Sequence, residues 1–395
     1  MVKPIGPVCN LACKYCFYLE KQHLFPNDEN YKMTDEILET FIKNYIETNP
    51  TEEIIFAWQG GEPTLMGIDF FRKVVNLQKK YSQGKKISNA FQTNGILIDE
   101  KWCDFFAENH FLVGISIDGP PEVNDEFRVD KSGQPITEIV VSSIEKMKNA
   151  DVEFNSLSCV NRLSGSKPIE VYNFLKSIGV EFMQFIPIVE RLPDKEAEQL
   201  GIEFAVPPEL DEEPEAMKVT NWSVQPRQYG NFLISIFDEW IKNDVGKIFV
   251  QIFDVALSAW VGYPPALCSF APRCGNALIL EHNGDIYACD HFMYPKYFRG
   301  NILDKSLDEI VCSPEQIKFG VDKTAALPSF CLNCSVRFVC NGGCPKQRFL
   351  LTKQKEPGLN YLCAGYKKFF KYIEPKMQTM AELIRSGRPA AEIMK

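Results

Sequence analysis

Residues 9–16 read CNLACKYC, which places Cys9, Cys13 and Cys16 on one short loop at C-x3-C-x2-C spacing. Three thiolates so arranged can hold three corners of a cubic iron–sulfur cluster, whose usual complement is four cysteines. The fourth iron then has no protein ligand and can bind a small molecule. A closed zinc site would want a fourth ligand close by. Only a more distant His23, or Cys103 far downstream in an expected helix, is on offer. For the loop alone, zinc or merely buried thiols stay open as alternatives.

Downstream of this loop, strand-like and helix-like segments alternate. Thr34 is placed to cap a helix with Ile37, Leu38, Phe41, Ile42, Tyr45 and Ile46 on one face. The apolar run Ile54 to Trp58 reads as a buried strand ending at Gln59-Gly60-Gly61-Glu62-Pro63. A helix over 68–81 follows, then a strand into Gln92-Thr93-Asn94-Gly95, a helix over 102–108 and a strand over 112–117. Helix 137–149, strand 153–160, helix 168–177 and strand 181–187 continue the series. Such βα repetition implies parallel strands with right-handed crossovers, an open or closed α/β barrel, with sites at the carboxyl ends of the strands. The acidic, proline-rich stretch 192–226 reads as a solvated insertion, and 227–242 as a further helix. Asn283-Gly284 between alternating apolar residues predicts a hairpin with a type I′ turn.

The 395 residues suit two or three domains, with 45% hydrophobic and 24% charged residues as in ordinary globular proteins. A net charge of −9 argues against a nucleic-acid or anionic-membrane partner. Neither a signal peptide nor a run of 18 apolar residues is present, so a cytoplasmic protein is expected. In that compartment 14 cysteines point to metal ligands rather than disulfides. Besides the first three, Cys268, Cys274, Cys289, Cys331, Cys334, Cys340, Cys344 and Cys363 form a second group, eight thiols that suit two fully ligated four-iron clusters or paired zinc ribbons. Cys103, Cys159 and Cys312 read as small buried hydrophobes. Gly60-Gly61 lacks dinucleotide or P-loop spacing, but adjacent glycines at a strand end let backbone approach a ligand.

The cysteine loop with Tyr15, together with Gly60-Gly61-Glu62-Pro63, resembles the radical S-adenosylmethionine enzymes. The C-x2-C-x5-C-x3-C core 331–344 resembles their SPASM extension. The resemblance implies a partial (β/α)6 TIM-like barrel, followed by a small cysteine-rich domain with a β-hairpin and C-terminal helices. The expected divisions are 1–230 for the barrel, 231–265 for a helical bridge, 266–366 for the SPASM domain and 367–395 for a terminal helix. By family pattern Cys9, Cys13 and Cys16 hold the cluster that chelates S-adenosylmethionine. Gly60, Gly61 and Glu62 would meet its amino group, Gln92 its ribose, and Ser116 with Arg128 its carboxylate; Tyr15 and Gln59 would also line the cofactor pocket. Cys268, Cys274, Cys289 and Cys344 would hold a nearer auxiliary [4Fe-4S] cluster, and Cys331, Cys334, Cys340 and Cys363 a farther one.

Over essentially the whole chain the likeness is to anaerobic sulfatase-maturating enzymes, through CNLACKYCFYLEK, FAWQGGEPTL, QTNGILID, FLVGISIDGP, GDIYACDHF, CNGGCPK and GLNYLC. The main departure is the acidic stretch 192–226. The resemblance implies oxidation of a cysteine or serine in a nascent sulfatase to Cα-formylglycine, after a 5′-deoxyadenosyl radical removes a Cβ hydrogen. Asp290 matches the general base, and Tyr18 and Gln59 match residues lining the peptide pocket. Implied partners are an unfolded sulfatase segment of C/S-x-P-x-R type and a low-potential donor such as flavodoxin or ferredoxin, the enzyme being a monomer. Two rivals remain: a SPASM maturase that crosslinks a precursor peptide, and a non-catalytic zinc-binding scaffold. The short lead before Cys9 leaves no leader-binding domain, which counts against the first.

Overall fold

The computed structural model describes residues 1–26, 30–208 and 218–395. Its strands are β1 (Val2–Lys3), β2 (Glu53–Trp58), β3 (Lys86–Thr93), β4 (Phe111–Ser116), β5 (Phe154–Val160), β6 (Phe182–Pro187), β7 (Phe249–Val250), β8 (Ile279–Glu281), β9 (Asp285–Tyr287) and β10 (Phe298–Asn301). They form one sheet in the order β10-β9-β8-β1-β2-β3-β4-β5-β6-β7. From β8 through β7 neighbouring strands run parallel, while β9 and β10 turn back antiparallel. The α/β barrel expected from the repetition is therefore present. Two-residue strands β1 and β7, too short to carry a hydrophobic period, went unread in the sequence.

Local chemistry explains the framework. The Thr34 hydroxyl accepts from the Ile37 N–H and starts the helix Asp35–Thr48, and Asp99 does the same for Trp102 ahead of Glu100–Glu108. Along β2, Ile54, Phe56 and Trp58 are buried under helices, whereas Ile55 is 59% exposed on the other face. That alternation refines the reading of 54–58 as a buried strand: one face is packed and the other is open. The concave face is hollow, about 200 Å³, and lined by Ala57, Gln59, Ala90, Gln92, Gly114, Asn155 and Gln184 among others. Small and polar residues there leave space above which a cofactor can sit.

Three other readings change. The Asn283-Gly284 hairpin is not type I′: the Gly284 N–H bonds the Glu281 carbonyl across His282 and Asn283, and only Gly284 takes positive φ (89°). A type I turn completed by a left-handed glycine meets strand twist equally well. The stretch 192–226 is not simply solvated. Ala197, Ile202, Phe204, Ala205, Val206 and Val224 are buried, and the Glu20 carboxylate accepts from the backbone of Glu203 and Phe204; residues 209–217 of that stretch lie outside the described residues. Cys312, expected to be buried, is exposed at a helix end, while Cys103 is buried as expected.

The helix Cys363–Arg385 crosses Pro226–Asn243 with two glycines at the contact. A Cβ on Gly365 would lie 2.0 Å from the Pro226 carbonyl oxygen, and one on Gly230 would lie 2.7 Å from that of Gly365. This crossing sets the helix start, and with it Cys363. Among the described residues no helix is long and apolar enough to cross a membrane. Gly365→Ala should force the helices apart and lower stability by about 1–3 kcal/mol, read as a fall in Tm on thermal unfolding; an unchanged Tm would show that the crossing is slack.

Candidate active site

The loop carrying the first three cysteines is stitched down on both sides. The Gly61 and Glu62 N–H groups bond the carbonyls of Gly6 (2.8 Å) and Val8 (2.9 Å), at the end of β2. Across the loop, Ala12 and Lys14 N–H groups bond the carbonyls of Val129 (2.9 Å) and Phe127 (3.0 Å). A Cβ on Gly61 would fall 1.9 Å from the Val8 carbonyl oxygen. The close approach that Gly61 permits is thus first to the cysteine loop itself, a correction to reading it as clearance for a ligand alone. Cys9, Cys13 and Cys16 then line one cavity of about 360 Å³ with Tyr15, Gln59, Gly60, Gly61, Glu62, Gln92, Ser116, Arg128 and Asp290. Of the residues singled out from sequence for this pocket, Tyr18 alone is absent from its walls.

Several of these side chains are already engaged. The buried Glu62 carboxylate accepts from Thr64 N–H (3.1 Å), the Thr64 hydroxyl (2.7 Å), the Thr93 hydroxyl (2.8 Å) and Asn94 N–H (2.7 Å), tying β2 to β3. Burial nevertheless pushes its pKa upward. Gln92 Nε2 donates to the Ser116 hydroxyl at 2.9 Å. Asp118, unassigned in the sequence reading, is fully buried and gathers the Tyr15 hydroxyl, the Arg128 guanidinium at 3.1 Å and the Cys159 N–H at 2.8 Å. Arg128 Nη2 also reaches the Cys159 sulfur at 3.7 Å. Cys159 therefore faces the cavity and is not a plain core thiol.

The opposite wall comes from the carboxyl-terminal segment: Asp290, His291, Cys344, Lys346 and Gln347. Asp290, 22% exposed and open to the cavity, pairs with Lys3 Nζ at 2.6 Å; Lys3 itself is 2% exposed. Burial pushes the Asp290 pKa up, but the charge of Lys3, with Lys346 contributing, outweighs it and holds the carboxyl below its usual range. The Lys3 ammonium also lies 3.6 Å over the Tyr18 ring, whose hydroxyl bonds both Glu281 oxygens at 2.9 and 2.7 Å. Tyr18 thus stands behind Asp290, not in the cavity. Burial lowers the His291 pKa to about 4, leaving a neutral imidazole beside Asp290. Lys346 and Glu190 pair at 2.6 Å and pin the two walls together. Lys3 had no signal in the sequence, since its role exists only through the pairing of β1 with β8.

The remaining thiols gather as two quartets. Cys268, Cys274, Cys289 and Cys344 lie near enough to perturb one another's charge, and so do Cys331, Cys334, Cys340 and Cys363. Burial raises the thiol pKa values of Cys274, Cys289 and Cys331, and those of Cys344 and Cys363 to about 11 and Cys340 to about 12; Cys9 and Cys13 of the first loop rise to about 11 and about 12. Such thiols stay protonated unless a metal displaces the proton. Among the described residues no three His, Cys, Asp or Glu close on a single metal ion. Cys331, Cys334, Cys340 and Cys363 line one small depression together, as the four ligands of a single cluster would. Between the quartets the buried Arg348 guanidinium feels thiols of both, and donates to carbonyls of Gly342, Lys323, Asn341 and Gly343. Lys323, also buried, flanks the nearer quartet.

A hollow parallel barrel, a three-thiol loop at its mouth and two further thiol quartets define a class. Residues 4–199 match the Radical SAM superfamily, and residues 268–335 match SPASM, an iron–sulfur cluster-binding domain. The serine-type anaerobic sulfatase-maturating enzyme of Bacteroides thetaiotaomicron is 46% identical over all of this chain and 94% of its own length. A cysteine-type enzyme of Clostridium perfringens is 32% identical, with 98% of each chain covered. A solved structure, native anSMEcpe with bound AdoMet and Cp18Cys peptide, superposes with a TM-score of 0.83 at 32% identity, covering 97% of this chain and 98% of the other. The chain belongs to the anaerobic sulfatase-maturating enzymes.

Gly61→Ala should unseat the first loop while sparing both quartets. After anaerobic reconstitution, iron should fall from about twelve to about eight per chain; full iron with unimpaired S-adenosylmethionine cleavage would show that the loop tolerates the methyl group.

Proposed function

We propose that this chain oxidises a serine or cysteine side chain of a sulfatase polypeptide to Cα-formylglycine. The observation that carries the reading is that the three-thiol loop and the Lys3-paired Asp290 face each other across one cavity. In this reading Cys9, Cys13 and Cys16 hold the first [4Fe-4S] cluster. Gly60, Gly61 and Glu62, with Tyr15, Gln59, Gln92, Ser116 and Arg128, form the seat of S-adenosylmethionine. When bound, cluster and S-adenosylmethionine together supply a carbon radical able to take hydrogen from the substrate Cβ, chemistry beyond any side-chain base.

This chain's residues do the rest. The Asp290 carboxylate, kept ionised and oriented by Lys3, accepts the hydroxyl or thiol proton as the aldehyde or thioaldehyde forms. The Glu190–Lys346 pair holds the walls together so that the target carbon is kept close and water is kept out. The two quartets hold auxiliary clusters. Serine is the first target to test, because the relative at 46% identity is named serine-type and that at 32% cysteine-type. The substrate segment is an unfolded C/S-x-P-x-R stretch, met in the cytoplasm by a monomer supplied with electrons by flavodoxin or ferredoxin.

An anaerobic assay of paired serine and cysteine peptides, scored by mass, tests the reaction; absence of aldehyde from both would refute it. Asp290→Asn should keep every cluster and still release 5′-deoxyadenosine, yet make aldehyde at least about a hundredfold more slowly. Lys3→Met should leave iron content unchanged but raise the ratio of 5′-deoxyadenosine to aldehyde, since the carboxylate loses its orienting partner. A wild-type ratio would make Lys3 a scaffold residue only.

A further inference from the structure

One side chain of the active cavity takes no part in the reaction proposed above. His291 follows Asp290 in the short helical turn Asp290–Phe292, and both line the cavity opposite the three-thiol loop. Its ring packs on Phe17, the residue after Cys16, at 5.3 Å between centroids. The Lys346 ammonium lies over the Phe17 ring in turn, at 4.6 Å. The imidazole is therefore held in the wall by packing. Its Nδ1 is buried and has no hydrogen-bond partner among the described residues. A proton there would be a buried donor with nothing to accept it, a costly arrangement, so the ring carries its hydrogen on Nε2. Nε2 is then the nitrogen of this ring that can meet a ligand in the cavity, and it does so as a donor.

We infer that the His291 Nε2–H donates a hydrogen bond to the side-chain oxygen of a serine substrate while Asp290 takes its proton. The inference rests on the reaction proposed above and names the residue that fits it to serine. Once the Cβ hydrogen has gone, forming the C=O double bond takes one proton and one electron from the substrate. The proton passes from Oγ to Asp290 and the electron to an oxidised iron–sulfur cluster, while His291 gains and loses neither. Its part is electrostatic. As the O–H bond breaks, negative charge grows on Oγ, and a fixed N–H aimed at that atom stabilises the charge where water is excluded. The ammonium groups of the same wall are already committed, Lys3 to Asp290 and Lys346 to Glu190, each at 2.6 Å.

A cysteine substrate needs this contact far less. A thiol loses its proton at a pKa of about 8.5, far more readily than an alcohol does, and sulfur is a weak hydrogen-bond acceptor. His291 thus admits serine to a site whose remaining groups suffice for cysteine.

The test is turnover of a serine peptide and its cysteine twin by the anaerobically reconstituted full chain. It measures kcat/KM for aldehyde, iron content and 5′-deoxyadenosine release. His291→Phe keeps a ring against Phe17 but has no donor. It should hold its iron, lose about a hundredfold in serine turnover and only about threefold in cysteine turnover. With the serine peptide it should also release more 5′-deoxyadenosine per aldehyde. His291→Gln, whose amide N–H can stand where Nε2 stood, should recover serine turnover to within about tenfold of the wild type. His291→Asn reaches only to the place of Nδ1 and should discriminate against serine as His291→Phe does. Should the Phe variant lose iron, the contrast between Gln and Asn decides. Equal loss on both peptides, undiminished serine turnover in His291→Phe, or recovery by Asn as good as by Gln would each overturn the assignment. Aldehyde from neither peptide with the wild type would refute the reaction itself, and this role with it.

Discussion

The seam at β1 carries more of this molecule than its two residues suggest. Val2 pairs with Trp58 of β2 on one side and Leu280 of β8 on the other, and Lys3 pairs with Glu281. One short strand thereby joins the parallel barrel to the hairpin that leads into Cys289 and Asp290. Lys3 then spends its side chain on Asp290, beneath the Tyr18 ring. An ammonium and a carboxylate removed from bulk water cost several kcal/mol each unless they are paired. Their mutual neutralisation makes the seam specific in register as well as cohesive. A shift of β1 by one residue would turn Lys3 to the other face and leave both charges uncompensated. Since the cysteine loop begins six residues after Lys3, this contact also fixes the distance from the first thiols to the carboxylate.

The thiols impose a second constraint. Burial drives the pKa values of thiols such as Cys13 and Cys340 upward, so without metal these are neutral sulfhydryl groups, and metal loading must expel their protons. The surrounding backbone is prepared for this: Gly61 lets the first loop lie against β2, and the Gly230–Gly365 crossing delivers Cys363 to the farther quartet. Arg348 and Lys323 add fixed positive charge within reach of the thiolate groups. Buried cations there would favour the reduced, more negative state of any cluster held between them.

Much of the architecture was legible because it rests on local rules. Thr34 and Asp99 cap their helices through side-chain oxygens, and the helices over 68–81, 137–149 and 168–177 follow apolar period. The eleven thiols of the three groups were legible from spacing and resemblance, and the fold brings them into those same three groups. Other features failed for physical reasons. A strand of two residues has no period to read, which hid β1 and β7. Ile55 and Cys159 alternate onto the hollow face, which composition alone cannot tell from the packed one. The acidic stretch 192–226 looked solvated by charge, yet Glu20 and a set of small apolar residues bind part of it down.

Sequence alone determined most helices, the longer strands and the three-thiol loop, because caps, periodicity and ligand spacing act over a few residues. The division of the other eight cysteines into two quartets came from the family resemblance. Only the tertiary structure decided what stands beside Asp290 and why Tyr18 lies behind the cavity. Those are contacts between residues hundreds of positions apart, such as Lys3 with Asp290. Their energies depend on burial and distance, quantities that do not exist until the sheet has closed around β1.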